Sequence, residues 1–121
     1  MLDKEEKAAL EFLDKTYSEI TRIRKKYPYL SRWVYVRDGC SDPNHINWKY
    51  SGKYDIKCQI TPEDMKMMWE RDKANEIVRP VFTRLDRDKH FTVNNSKFMS
   101  ETDYRKLLSA QKQDRQGHYS H

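Results

Sequence analysis

Cys40, His45 and Cys58 stand in a Cys-x4-His-x12-Cys spacing. Thiolate and imidazole suit zinc, and a closed structural zinc site takes four ligands. His90 or Asp42 is available to complete the set. A metal staple would also add folding free energy to a chain with a thin core. The alternative reading of the same residues is two ordinary thiols and a loop histidine. A second group is cationic: Lys49, Lys53 and Lys57, then Arg84, Arg87, Lys89 and Lys97. Placed on one side of a fold, these would meet phosphates and make binding fall with salt. Spread out, they are a solvated basic surface. Tyr27, Tyr29, Trp33 and Tyr35 share one parity among basic residues. Such aromatics can stack on the bases of a single strand, or pack half-buried in a sheet or loop.

Composition bounds what those residues can serve. The 121 residues amount to one domain, 1–121, with 36% charged and 36% hydrophobic positions. Mean hydropathy is −1.11, so the aromatics must supply much of the core. The formal charge of +5 and a pI near 9.2 favour an anionic partner. No apolar run approaches the ~20 residues of a membrane span. The stretch from Met1 to Lys7 has no apolar run of secretory type. The expected location is therefore the cytoplasm of a host cell, where two cysteines are thiols or metal ligands rather than a disulfide.

The elements that must position these groups follow from periodicity and caps. Residues 3–26 are predicted to form an amphipathic helix with Leu10, Leu13, Tyr17 and Ile20 on one face, acids first and bases last, stopped by Pro28. This N-terminal helical region spans 1–31. Residues 32–36 are rich in strand formers, and 37–60 read as loop. Thr61-Pro62-Glu63-Asp64 is a capping box opening a helix to about Val78, with Met65, Met68, Trp69 and Ile77 inside. Pro80 ends it. Strands are predicted over 81–85 and 91–93, with a third extended piece through Lys97-Phe98-Met99. Ser100-Glu101-Thr102-Asp103 caps a C-terminal helix over 100–111, and 112–121 reads as a flexible polar tail. The expected class is α+β: helix, loop with a possible metal site, central helix, β-hairpin, C-terminal helix.

Residues 40–98 carry a series of motifs in order. They are Cys40-Ser41-Asp42-Pro43-Asn44-His45, Tyr50-Ser51-Gly52-Lys53-Tyr54-Asp55-Ile56-Lys57-Cys58, Ile60-Thr61-Pro62-Glu63-Asp64 and Met68-Trp69-Glu70-Arg71-Asp72-Lys73-Ala74. The last is Pro80-Val81-Phe82-Thr83-Arg84-Leu85-Asp86-Arg87-Asp88-Lys89-His90-Phe91-Thr92-Val93-Asn94-Asn95-Ser96-Lys97-Phe98. The series resembles the HNH-type, homing-endonuclease-like modules of phages and other mobile elements. The resemblance implies an HNH-like fold and phosphodiester hydrolysis, with one divalent metal such as Mg2+ and a histidine that deprotonates water. By that resemblance Asp86 and Asp88 would hold the metal, Asn95 would orient it, and His90 is the nearby base candidate. Without that chemistry, the two acids would cap a turn and pair with Arg84 or Arg87.

The departures from the pattern are specific. The glycine-rich turn has lost two glycines and gained a residue. Thr83 stands for the family's first motif aspartate, Asp86-Arg87 for its aspartate-asparagine, and Ser96 for its late cysteine. Arg84 occupies the position that resembles the family's base, and arginine cannot take a proton at neutral pH. The expected function is that of a phage or mobile-element binding protein, derived from an HNH-type endonuclease and no longer cutting. It would contact nucleic acid or a nucleic-acid-processing complex, with no catalytic residues and with structural Zn2+ as the candidate metal on Cys40, His45, Cys58 and His90. One alternative is a protein-directed inhibitor of a host defence nuclease, of anti-CRISPR type. A second is an active metal-dependent endonuclease.

Overall fold

Residues 1–15 and 20–119 are described by a computed structural model. It is a small α+β fold: α1 (Lys4–Lys15), α2 (Ile20–Lys26), α3 (Pro28–Ser41), two short helical turns (Trp48–Tyr50 and Gly52–Tyr54), α4 (Pro62–Arg71), a further turn (Ala74–Glu76), β1 (Val81–Arg84), β2 (Ser96–Met99) and α5 (Glu101–Tyr119).

The predicted single helix over 3–26 is instead two helices that pack on each other. Glu5 and Lys26 meet at 3.4 Å. In one straight helix, rising 1.5 Å per residue, they would stand about 31 Å apart. Folding back lets Leu2 and Ala9 bury against Ile23 and Leu30, with Leu10, Leu13 and Tyr27 around them. Tyr17, the centre of the predicted stripe, lies outside the described residues. Asp3 and Glu6 close a reciprocal capping box, with the Asp3 N–H donating to Glu6 Oε1 at 3.0 Å and the Glu6 N–H to Asp3 Oδ1 at 2.8 Å.

The strand expected over 32–36 is also overturned. Pro28 sits at the start of α3, where its fixed φ favours a helix rather than ending one. Leu30, Trp33, Val36 and Gly39 then recur every three residues; Leu30, Val36 and Gly39 are buried. Trp33 packs on the core and its Nε1–H donates to the Ile60 carbonyl at 2.7 Å. Burial of this stripe outweighs the strand propensity of Trp, Val and Tyr. The helix runs to Ser41, so Cys40 belongs to its last turn and not to a loop.

The capping box of α4 forms as predicted, with Asp64 N–H on Thr61 Oγ1 at 3.1 Å and Thr61 N–H on Asp64 Oδ2 at 3.0 Å. The helix stops at Arg71 and not near Val78, which is 85% exposed. Tertiary bonds explain the early stop. Asp72 accepts the Phe98 N–H at 2.9 Å, and Arg71 donates to the Ser96 carbonyl at 2.9 Å, so the helix end is clamped to β2. Lys73 then turns the chain at a φ of 51°.

β1 pairs antiparallel with β2, Val81 opposite Met99 and Arg84 opposite Ser96. The partner of β1 is thus the third predicted piece, not 91–93. Phe91 instead forms an isolated parallel bridge with Cys58. Phe98 is buried between Trp69 and Phe82, at centroid distances of 5.1 and 4.7 Å. With Val36, Ile60, Met65, Met68 and Ala74 it makes the main core. α5 opens on Ser100, whose Oγ accepts the Asp103 N–H at 3.1 Å, and runs to Tyr119, past the predicted end at 111.

Gly52 is required by close approach. A Cβ there would lie 2.0 Å from Trp48 Cζ3 and 2.6 Å from the Cys40 carbonyl oxygen, which is backbone of α3. We expect Gly52→Ala to cost about 2–3 kcal/mol through overpacking, read as a lower midpoint in urea. An unchanged midpoint would refute the contact.

Candidate nucleic-acid interface

Arg84 ends β1, and its side chain organises the loop beyond it. Nη1 donates to the Arg87 and Lys89 carbonyls, the latter at 3.2 Å, and Nη2 donates to the Tyr50 carbonyl at 3.2 Å. The guanidinium also lies 5.0 Å from the centre of the Phe91 ring. Burial pushes its pKa below the usual arginine value. One planar cation therefore ties the tip of the hairpin to the helical turn at Trp48–Tyr50.

Asn95 pins the same loop from the other side. Its Oδ1 accepts the Asp86 N–H at 2.8 Å, and its Nδ2 donates to the Asp86 and His90 carbonyls, each at 2.9 Å. Asp86 Oδ1 accepts the Asp88 N–H at 3.0 Å, an Asx turn, and its Oδ2 faces Lys89 Nζ at 3.8 Å. His90 Nδ1 accepts the Lys57 N–H at 2.9 Å. Of the four residues that the resemblance singles out, Asp86, His90 and Asn95 thus each hold loop backbone with their side chains, Asp88 gives its N–H to Asp86, and the ion pair of Asp86 is with Lys89 rather than with Arg84 or Arg87.

The loop and the two helical turns face α5 across a cleft of about 950 Å³. Lys49, Lys53, Arg84 and Arg87 line it, against one acid, Asp88. Four of the seven predicted cations are brought together. Lys57, Lys89 and Lys97 lie outside the lining. Lys97 is on β2 opposite Thr83. The site also contains residues that the sequence reading missed: Tyr50 and Tyr54 on the turns, and Tyr104 on α5. Tyr50 and Tyr54 are 61% and 67% exposed. Lys49 Nζ sits 5.1 Å from the Tyr50 ring centre and Lys53 Nζ 5.9 Å from that of Tyr54. The repeated Lys-Tyr pair, four residues apart, was the available signal. The aromatics that were singled out have other duties. Tyr29 and Trp33 pack on the core, and Tyr35 stands edge-on to His45 at 4.6 Å.

The four predicted zinc ligands are not assembled. Among the described residues no three His, Cys, Asp or Glu side chains converge as a metal would need. His45 Nδ1 accepts the Asn47 N–H at 3.0 Å, and His90 is held by Lys57. Burial first, then neighbouring Cys58, push the Cys40 thiol up to about 11 against the pull of Arg84. Burial likewise raises the Cys58 thiol, whose Sγ donates to the Ile60 carbonyl at 3.6 Å. Among the described residues no helix is long and apolar enough to cross a membrane. Comparison with protein-family models, with curated proteins and with solved structures finds no match.

Proposed function

We propose that this protein binds nucleic acid through the cleft between the Trp48–Tyr54 turns, the hairpin tip and α5, and that it does so as a non-cutting descendant of an HNH-type endonuclease. The observation that carries the binding reading is the cleft itself: about 950 Å³, four cations, one acid and exposed tyrosines. Phosphates neutralised there would release counterions. The hairpin of β1, loop and β2 supports descent, since the resemblance, which covers residues 40–98, puts the family's base on the first strand of a hairpin. Arg84 supports the loss of cutting. It ends the first hairpin strand, where relatives carry the base, and its donors are committed to three carbonyls.

The test is salt-dependent binding of a labelled oligonucleotide. The slope of log K against log salt should fall by about 2 in the triple variant Lys49→Ala, Lys53→Ala, Arg87→Ala. The same three changes on Lys57, Lys89 and Lys97 should alter it less. An unchanged slope in the cleft variant overturns the assignment. Absence of any affinity at low salt, with tight capture of a host nuclease, would favour the inhibitor expectation instead.

A further inference from the structure

The cleft pairs its charge with accessible ring faces, and that combination discriminates among nucleic acids. We infer that the ligand is a single strand, with Tyr50 and Tyr54 as stacking platforms for unpaired bases; this rests on the nucleic-acid reading above. The two tyrosines sit four residues apart on consecutive helical turns and are 61% and 67% exposed. Neither ring belongs to the apolar cores, and each carries its own lysine within 6 Å, 5.1 Å at Tyr50 and 5.9 Å at Tyr54. Each ammonium lies over one face of its ring, which puts positive charge near the phosphate of a nucleotide stacked on the other face. Arg87 lines the same concavity on the opposite, hairpin side.

A duplex cannot use this arrangement. Its bases are already stacked on one another, and its outer surface offers phosphate and sugar, which lysine and arginine contact without any aromatic. A single strand offers free ring faces and a flexible backbone that enters a concave groove. The rings favour no particular base, because every base has a π-face. Sequence preference should therefore be weak.

The experiment is fluorescence anisotropy with the full chain and two probes, a mixed-sequence DNA strand of about 16 nucleotides and its duplex. Single-strand affinity should exceed duplex affinity by about tenfold. The double variant Tyr50→Ala, Tyr54→Ala should lose about tenfold or more on the strand and little on the duplex. Tyr50→Phe with Tyr54→Phe should retain strand binding, because the ring and not the hydroxyl carries the contact. Both side chains are exposed, and a thermal melt checks that the variants fold. Equal or tighter duplex binding overturns the inference while leaving the nucleic-acid reading standing. So does a Tyr→Ala pair that binds the strand as well as wild type. Failure of both probes at low salt overturns the two together.

Discussion

Arg84→Ala should destabilise the protein by about 2 kcal/mol. The side chain is half-buried, spans three carbonyls on two separate segments, and covers the Phe91 ring. Removing it takes the donor from the part-buried Arg87 carbonyl, unties the exposed Lys89 and Tyr50 carbonyls, and uncovers the Phe91 ring. Each carbonyl was satisfied by a charge-assisted donor, the strong kind. The loss should appear as a drop of roughly 6–8 °C in melting temperature. Arg84→Lys should recover only part of it, since one ammonium cannot bridge carbonyls arranged for a planar fork. Nucleic-acid affinity should fall as well, because the tip that positions Arg87 loosens. The two effects separate the roles of this residue. A variant that melts like wild type and merely binds more weakly would mean that Arg84 serves phosphate and not the loop.

Glu6 is the second position where one substitution should have a large effect. It is 1% exposed, yet carries a carboxylate shared by three helices. Its Oε1 accepts from the Asp3 N–H in α1's own cap and from Lys66 Nζ of α4 at 2.7 Å, and its Oε2 from the Tyr29 hydroxyl of α3. Burial pushes the Glu6 carboxyl up, but the Asp3 N–H, the Lys66 ammonium and the Tyr29 hydroxyl together outweigh it and hold it at about 2. Burial, then the bond to Glu6, raise the Tyr29 phenol in turn. A carboxyl whose folded pKa lies below its ordinary value of 4.5 stabilises the fold fully above that value. The contribution disappears as pH falls toward 2. Each tenfold change in proton affinity is worth about 1.4 kcal/mol, so roughly 3 kcal/mol is at stake in that window. Glu6→Gln should remove this pH dependence and lower stability at neutral pH by about 2 kcal/mol, since an amide keeps the cap but not the charge pair. Glu6→Ala should cost about 3–4 kcal/mol, because it also leaves the Asp3 N–H and Tyr29 hydroxyl without their acceptor. Urea titrations at pH 7 and at pH 3 check both. A wild-type protein equally stable at the two values would refute the role.

What was legible in the sequence was local. The Thr61 and Ser100 caps announce α4 and α5 because an N-cap hydroxyl satisfies its own helix's N–H groups and needs no distant partner. The hairpin region was legible as a turn-rich stretch between two extended runs. Its register was not. Residues 91–93 have the composition of a strand, but Phe91 pairs with Cys58, and β2 is Ser96–Met99. That choice is made by Phe98 entering the core and by Asp72 taking its N–H. The basic residues of the site could be named individually, but the sequence could not say which four share a cleft.

The sequence by itself determined the capped helices, the α+β class and the positive charge, since caps, periodicity and net charge act over a few residues or over none at all. Only the tertiary structure decided that residues 3–26 fold back, that 32–36 are helix, that the His45 and His90 rings accept backbone N–H groups, and that two Lys-Tyr pairs face Arg84 and Arg87. Each of those outcomes depends on which apolar face is buried against which. Burial is won between residues far apart in the chain, and it overrides local preference wherever the two compete.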